Sequence, residues 1–210
     1  MRNPRFLLMP VLFVSLAMAG CAFISSGEVQ QNYVLPVPSF EVSKQALPLH
    51  LKVLPVEVAS GLDTARIVMI EKGVQVNYLA DSRWAEPLPQ LLQFLWIQSL
   101  RQSGSASSVS SDTDAEKADR LIHITASAFN AVRNDDGSIV VRVQFQVKIM
   151  LPVTYVVLSV EDISVEQAAL SSNMESVMVA FRSANEQAME GLFKKLAIDL
   201  MLPSSIHSAR

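Results

Sequence analysis

The sequence predicts an α+β fold, a mainly antiparallel β-sheet with two α-helices packed on one face, and three observations carry that prediction. Val141, Val143, Phe145, Val147 and Ile149 alternate with Arg142, Gln144, Gln146 and Lys148, the period of a strand with one buried and one wet face. Leu88, Leu91, Leu92, Leu95 and Leu100 recur at steps of three and four, and Val177, Phe181, Ala184, Ala188, Leu192 and Leu196 do the same, so each segment reads as a helix with one apolar stripe. Two single-striped helices and a half-wet sheet bury their apolar sides together when both helices lie on the same face.

The elements follow in chain order. Tyr33-Val34-Leu35 is a short β-type run halted by Pro36 and Pro38, which points to an edge strand because proline cannot donate to a ladder. Leu49 to Val58 is a second strand whose apolar phase slips between Val53 and Leu54 beside Pro55, the signature of a bulge. Ile67 to Ile70 and Val74 to Tyr78 flank Glu71-Lys72-Gly73, a turn of hairpin length. The period then changes, and a helix is expected within Asp81 to Gly104, with Pro87 and Pro89 in its first turn and Gly104 closing it.

Ser103 to Ala118 holds no large apolar residue except Val109 and reads as a solvated loop. Leu121 to Val132 and the alternating strand flank Asn134-Asp135-Asp136-Gly137, so a long antiparallel hairpin is predicted. Val153 to Val160 is a third strand that can run on through Ile163-Ser164-Val165, and the second helix extends to about Leu200 and Met201 before Pro203 stops it.

The start of the chain has a different character. Arg2 and Arg5 precede an apolar stretch from Phe6 to Ala19, the layout of a secretory signal and too short to span a bilayer, which takes about 20 apolar residues. Met18-Ala19-Gly20-Cys21 then resembles a lipobox, with Met18 where Leu, Val or Ile is usual, and it places the only cysteine where lipidation requires it. Cys21 is therefore the expected site of a diacylglyceryl thioether and, once cleavage frees its amine, of an acyl chain. Two or more chains, at about 0.8 kcal/mol per buried methylene, anchor a protein to a membrane. Ala22 stands where inner-membrane retention usually shows Asp, so the expected location is the periplasmic face of the outer membrane. The organisation that results is a signal peptide at 1–20, a lipidated cysteine and tether at 21–31, one domain at 32–202 and a tail at 203–210.

Cleavage at Cys21 leaves 190 residues with 15 Lys and Arg against 20 Asp and Glu. That mildly acidic balance argues against nucleic acid, whose binding rests on neutralising phosphates, and against electrostatic docking on anionic headgroups. With its thiol lipidated, the domain has no intramolecular disulfide and depends on packing.

Chemistry is sparse. His50, His123 and His207 have no nucleophile or ligand partner at a motif spacing, and there is no Gly-rich phosphate loop, Gly-x-Ser-x-Gly or His-Glu-x-x-His. Asp112, Asp114 and Glu116 alternate as calcium ligands do, but Lys117 and His123 occupy the positions that need Gly and Glu. No enzyme, no metal and no cofactor is expected apart from the lipid on Cys21, and a binding role is favoured. Its candidate residues lie in Asp81-Ser82-Arg83-Trp84-Ala85-Glu86-Pro87-Leu88. Arg83, Trp84 and Glu86 are side chains of the kind that carry partner-binding energy; alternatively Trp84 fills the core beneath the hairpin and Arg83 pairs with Glu86.

At these residues the chain resembles the ABC-type transport auxiliary lipoproteins, of which the paraquat-inducible protein C type is a branch. The likeness rests on Tyr33-Val34-Leu35, Leu54-Pro55-Val56, Gly61-Leu62-Asp63, Ile67-Val68, and Tyr78 followed by Ser82-Arg83-Trp84-Ala85-Glu86-Pro87-Leu88, and covers roughly residues 32 to 201. It departs where the family has a short strand with proline after the first helix and this chain has its serine-rich stretch, and where Val153 to Ala169 lacks the usual glycine turn. The resemblance implies a non-enzymatic outer-membrane lipoprotein that docks on an inner-membrane MCE-domain protein and its ABC permease and helps lipid or other hydrophobic solutes cross the periplasm; a homo-oligomer is compatible with it. The alternative is a structural or assembly lipoprotein that supports another envelope complex.

Overall fold

The computed structural model describes residues 30–39 and 46–199. Cys21, the signal and tether, and the expected helix end at Leu200 and Met201 lie outside them.

The sheet is organised around β7 (Arg120–Arg133), whose two edges are used differently. On one edge, β8 (Ile139–Met150) runs antiparallel along its whole length, and β9 (Val157–Ala168) continues the meander as an outer strand. On the other edge three short segments lie parallel to β7 in succession: β2 (Leu47–Val53) at Arg120 to Ile122, β3 (Glu57–Val58) at Thr125 and Ala126, and β4 (Arg66–Glu71) at Ala131 to Arg133. From Val53 opposite Ile122 to Glu57 opposite Thr125, four residues face three, which is the slip predicted beside Pro55. β5 (Gln75–Trp84) pairs antiparallel with β4 through a turn where Lys72 and Gly73 both adopt positive φ. β1 (Gln31–Tyr33) lies parallel on the end of β5, and β6 (Ala106–Ser111) lies parallel on β2.

Both helices, α1 (Leu88–Ser103) and α2 (Met174–Asp199), cover one face. All five leucines predicted for the first stripe and all six residues predicted for the second are buried. Trp96 of α1 fixes the arrangement, since its ring stacks on Phe193 of α2 and meets Phe145 of β8 edge-on, both at 5.7 Å between centroids. The approach of α2 to β9 is closest at Gly191, where a methyl group would stand 2.5 Å from Ile163 Cδ1. The opposite face of β8 and β9 is a solvated ladder: Arg142 pairs with Glu166 at 2.7 Å, and Gln144 and Gln146 donate to Ser164 and Asp162 at 3.0 Å each.

Five details differ from the sequence expectations, the first being that β1 ends at Tyr33 and leaves Val34 and Leu35 outside the strand expected over Tyr33 to Leu35. Several pairings are parallel, because the chain returns to the same side of β7 between segments. Asp81 to Trp84 belong to β5 rather than to the helix, held there by β1 and β4 on either side. The serine-rich stretch contains β6, whose ladder with β2 buries Val109 and Ser110. Val153 to Val156 form a turn, with Tyr155 at φ 55°, and strand geometry begins only at Val157.

Candidate functional site

The segment that singled itself out in sequence lies where β5 ends and α1 begins. β5 carries a wide bulge here: two residues of β4, from Arg66 to Val68, span five of β5, from Arg83 back to Tyr78. The three additional residues are absorbed by a kink with Asp81 at φ 51°, a left-handed backbone that Asp tolerates better than most side chains. The bulge sets which face each later side chain meets. The Trp84 amide donates to the Ala65 carbonyl at 2.7 Å, the Ala85 amide to Tyr33 at 2.8 Å and the Leu88 amide to Thr64 at 3.1 Å. Proline within the first turn of α1 leaves no helix donor wasted there.

Trp84 points into the core and is 1% exposed. Its ring meets Phe181 of α2 at 5.2 Å and Phe129 of β7 at 5.9 Å, both edge-on, so it ties the start of α1 to the other helix through the sheet. Arg83, one residue earlier, projects to the opposite side, away from both helices. It lies directly across from Arg66 of β4 and, on its other flank, from Asn32 of β1. The Arg66 guanidinium sits 3.5 Å above the centroid of the Tyr78 ring. Among the described residues neither arginine has a carboxylate within ion-pair distance, Glu86 included. Glu86 is exposed on the short link into α1.

A separate, mostly apolar groove of about 320 Å³ runs between Tyr33 to Pro36 and the first turns of α2, where Glu175, Met178, Val179 and Arg182 line it. The histidines sit in local structure: His50 Nδ1 is 3.0 Å from the Ser108 hydroxyl, and His123 Nε2 is 3.2 Å from Glu57. His207 lies outside the described residues. The acidic run after β6 is a capped turn in which the Ser111 amide donates to Asp114 at 2.7 Å. That bond, with the Ser111 hydroxyl, holds the Asp114 carboxyl below its ordinary value. Among the described residues no group of three or more His, Cys, Asp or Glu side chains could hold a metal ion, and no helix is long and apolar enough to cross a membrane.

Arg66 is the member of this site that sequence reasoning missed. It lies 17 residues before Arg83, and only the hairpin and its bulge bring the two together.

Comparison with known proteins locates the fold. The family described as the ABC-type transport auxiliary lipoprotein component matches residues 33–190. A protein of Xanthomonas campestris, assigned to a family of unknown function, is similar at TM-score 0.73 and 17% identity over 80% of this chain and 96% of its own. A second solved structure, of an uncharacterized protein, is similar at TM-score 0.58 and 16% identity over 80% and 99% of the two chains. At these identities the likeness is one of fold. No curated protein sequence matches significantly.

Proposed function

Because the chain belongs to the ABC-type transport auxiliary lipoprotein family, we propose that it is the lipid-anchored, periplasm-facing accessory of an MCE and ABC-type intermembrane lipid transport system. In this reading Cys21 carries the anchor in the outer membrane, and the folded domain docks on the inner-membrane MCE-domain partner, which is joined to its ABC permease. The observation that carries it is the extent of the family match, which begins in β1 and ends within α2 and so takes in nearly every element described above.

The division of labour follows from what the chain contains. Trp84 anchors the end of β5 in the core, which leaves Arg83 and Glu86 held on backbone that hydrogen bonds to Tyr33, Ala65 and Thr64 make rigid. A rigid platform loses little entropy when a partner seats on it. The sequence has no phosphate-binding loop, so the work of transport comes from the ATPase of the partner complex. The domain positions or caps the conduit that the partner builds.

Co-purification tests the reading. The lipidated chain, extracted in mild detergent from intact cells, is expected to bring down an MCE-domain protein together with its permease. Recovery of only outer-membrane or cell-wall components would replace it with the structural or assembly role.

A further inference from the structure

The outward face of the β4–β5 hairpin combines features that the solvated ladder on β8 and β9 lacks. Arg66 and Arg83 stand opposite one another, an arrangement that destabilises a sheet when both partners carry the same charge. No carboxylate relieves it: among the described residues the ion pairs all lie elsewhere. Instead, the Arg66 guanidinium sits 3.5 Å over the Tyr78 ring, a contact that restrains its planar fork while no carboxylate among the described residues occupies it. Beyond this cationic end, Tyr78 is followed along the same face by Val76, half exposed, opposite Ile70. The face is therefore cationic at one end and apolar along the rest.

We infer that this face is the docking surface for an acidic, amphipathic segment of a partner protein, whose carboxylates seat between Arg66 and Arg83 while its apolar side lies over Tyr78, Val76 and Ile70. A protein segment fits better than a small amphiphile because the face is a sheet surface on which Val68 is buried, Ile70 and Tyr78 are half-buried and Val76 is exposed. Small-ligand sites are concave and bury most of their ligand, and the grooves described, such as the one between β1 and α2, are not lined by Arg66, Arg83, Tyr78 or Val76. Arg66, held over Tyr78, and Arg83 across from it, neither with a carboxylate partner among the described residues, match carboxylates by charge and by bidentate geometry. The inference rests on the docking role given to Arg83 above and supplies the chemistry of what docks.

The test uses the full lipidated chain in intact cells with a photo-crosslinking amino acid at Val76, and at Lys117 as a control. The captured peptide is sequenced, synthesised and titrated against the full-length protein in detergent. The expected result is a partner peptide with at least two carboxylates beside apolar residues. Its affinity should fall at least 100-fold in the R66E/R83E variant, with far less loss in R66K/R83K and at least tenfold weakening between 50 and 500 mM salt. Unchanged thermal unfolding of both variants shows that the fold is intact. Capture of phospholipid, of a second copy of this chain or of a neutral or basic peptide overturns the inference, as does absence of capture at Val76 or an affinity indifferent to R66E/R83E. If the acidic peptide comes from a protein outside any MCE or ABC transport complex, the docking chemistry stands and the proposed system falls, so the two failures are distinguishable.

Discussion

Replacing Trp84 by alanine removes the ring that joins the end of β5 to Phe129 of β7 and Phe181 of α2. The residue is 1% exposed, so the substitution forfeits nearly the whole transfer free energy of an indole and leaves a cavity that Phe129 and Phe181 cannot both collapse to fill. Buried Trp or Phe to Ala changes cost about 3 to 5 kcal/mol. The two edge-on contacts, at 5.2 and 5.9 Å, place this site toward the upper part of that range, since each aromatic pair adds about 0.5 to 1.5 kcal/mol beyond area. Urea denaturation followed by fluorescence is the assay, because Trp96, the second of the two tryptophans, survives as a buried reporter. With m values of about 2 to 3 kcal/mol per molar urea, the midpoint should fall by roughly 1 to 2.5 M. Trp84→Phe should lose less than half as much. A loss below about 1 kcal/mol in Trp84→Ala, with m unchanged, would refute the claim that this ring holds the layers together.

Three further outcomes are expected. Gly191→Ala should change stability by no more than about 1 kcal/mol, because the helix gain of about 1 kcal/mol for leaving glycine offsets the shift of the Ile163 methyl; Gly191→Leu should cost more than 2 kcal/mol and speed amide exchange in β9. Asp136 accepts from the Ser138 hydroxyl and amide, and these bonds lower its carboxyl below 3.8. Its folded value thus lies below its unfolded one, so the contribution is present above about pH 4 and is lost as pH falls through the folded value. NMR titration of Ser138→Ala should bring the Asp136 midpoint back toward 3.8. Cys21→Ala should leave uncleaved or soluble chain, and membrane fractionation like that of the wild type would remove the anchor from the account.

The strongest periodicities were legible because one physical demand set them. β8 alternates strictly because its two faces meet different solvents, and the α1 and α2 stripes record the single surface each helix buries. β6 escaped notice because Ala-Ser-Ser-Val-Ser-Ser has one large apolar residue, and its strand character comes from the ladder with β2, a partner more than 50 residues away. Asp81 to Trp84 looked like a helix entrance since Asp and nearby proline are start signals, yet pairing with β1 and β4 overrides that local preference. Val153 to Val156 looked like strand because it is β-branched and apolar, but Pro152 and the positive φ of Tyr155 close a turn there. For the candidate site, Arg83 and Trp84 were visible as residue types, but the side of the sheet each faces follows from the bulge. Arg66 enters only through cross-strand pairing, which no local window contains.

The way β7 is shared has a bearing on when this chain can fold. β2, β3 and β4 each need β7 as a template, yet all three precede it by dozens of residues. A chain that emerges amino end first can close the β4–β5 hairpin and pair β2 with β6, but the edges of β2, β3 and β4 that face β7 stay open until β7 follows, and closing those long loops carries the entropy cost that slows non-local, parallel pairing. The later half has local partners, since β7, β8 and β9 are successive hairpins and α2 follows at once. Completion of the sheet on the β2–β3–β4 side of β7 is then expected to follow the β7–β8–β9 meander. A fragment ending before Arg120 is expected to stay unfolded by circular dichroism, and the interval before β7 emerges is when an envelope chaperone has unpaired strand edges to protect.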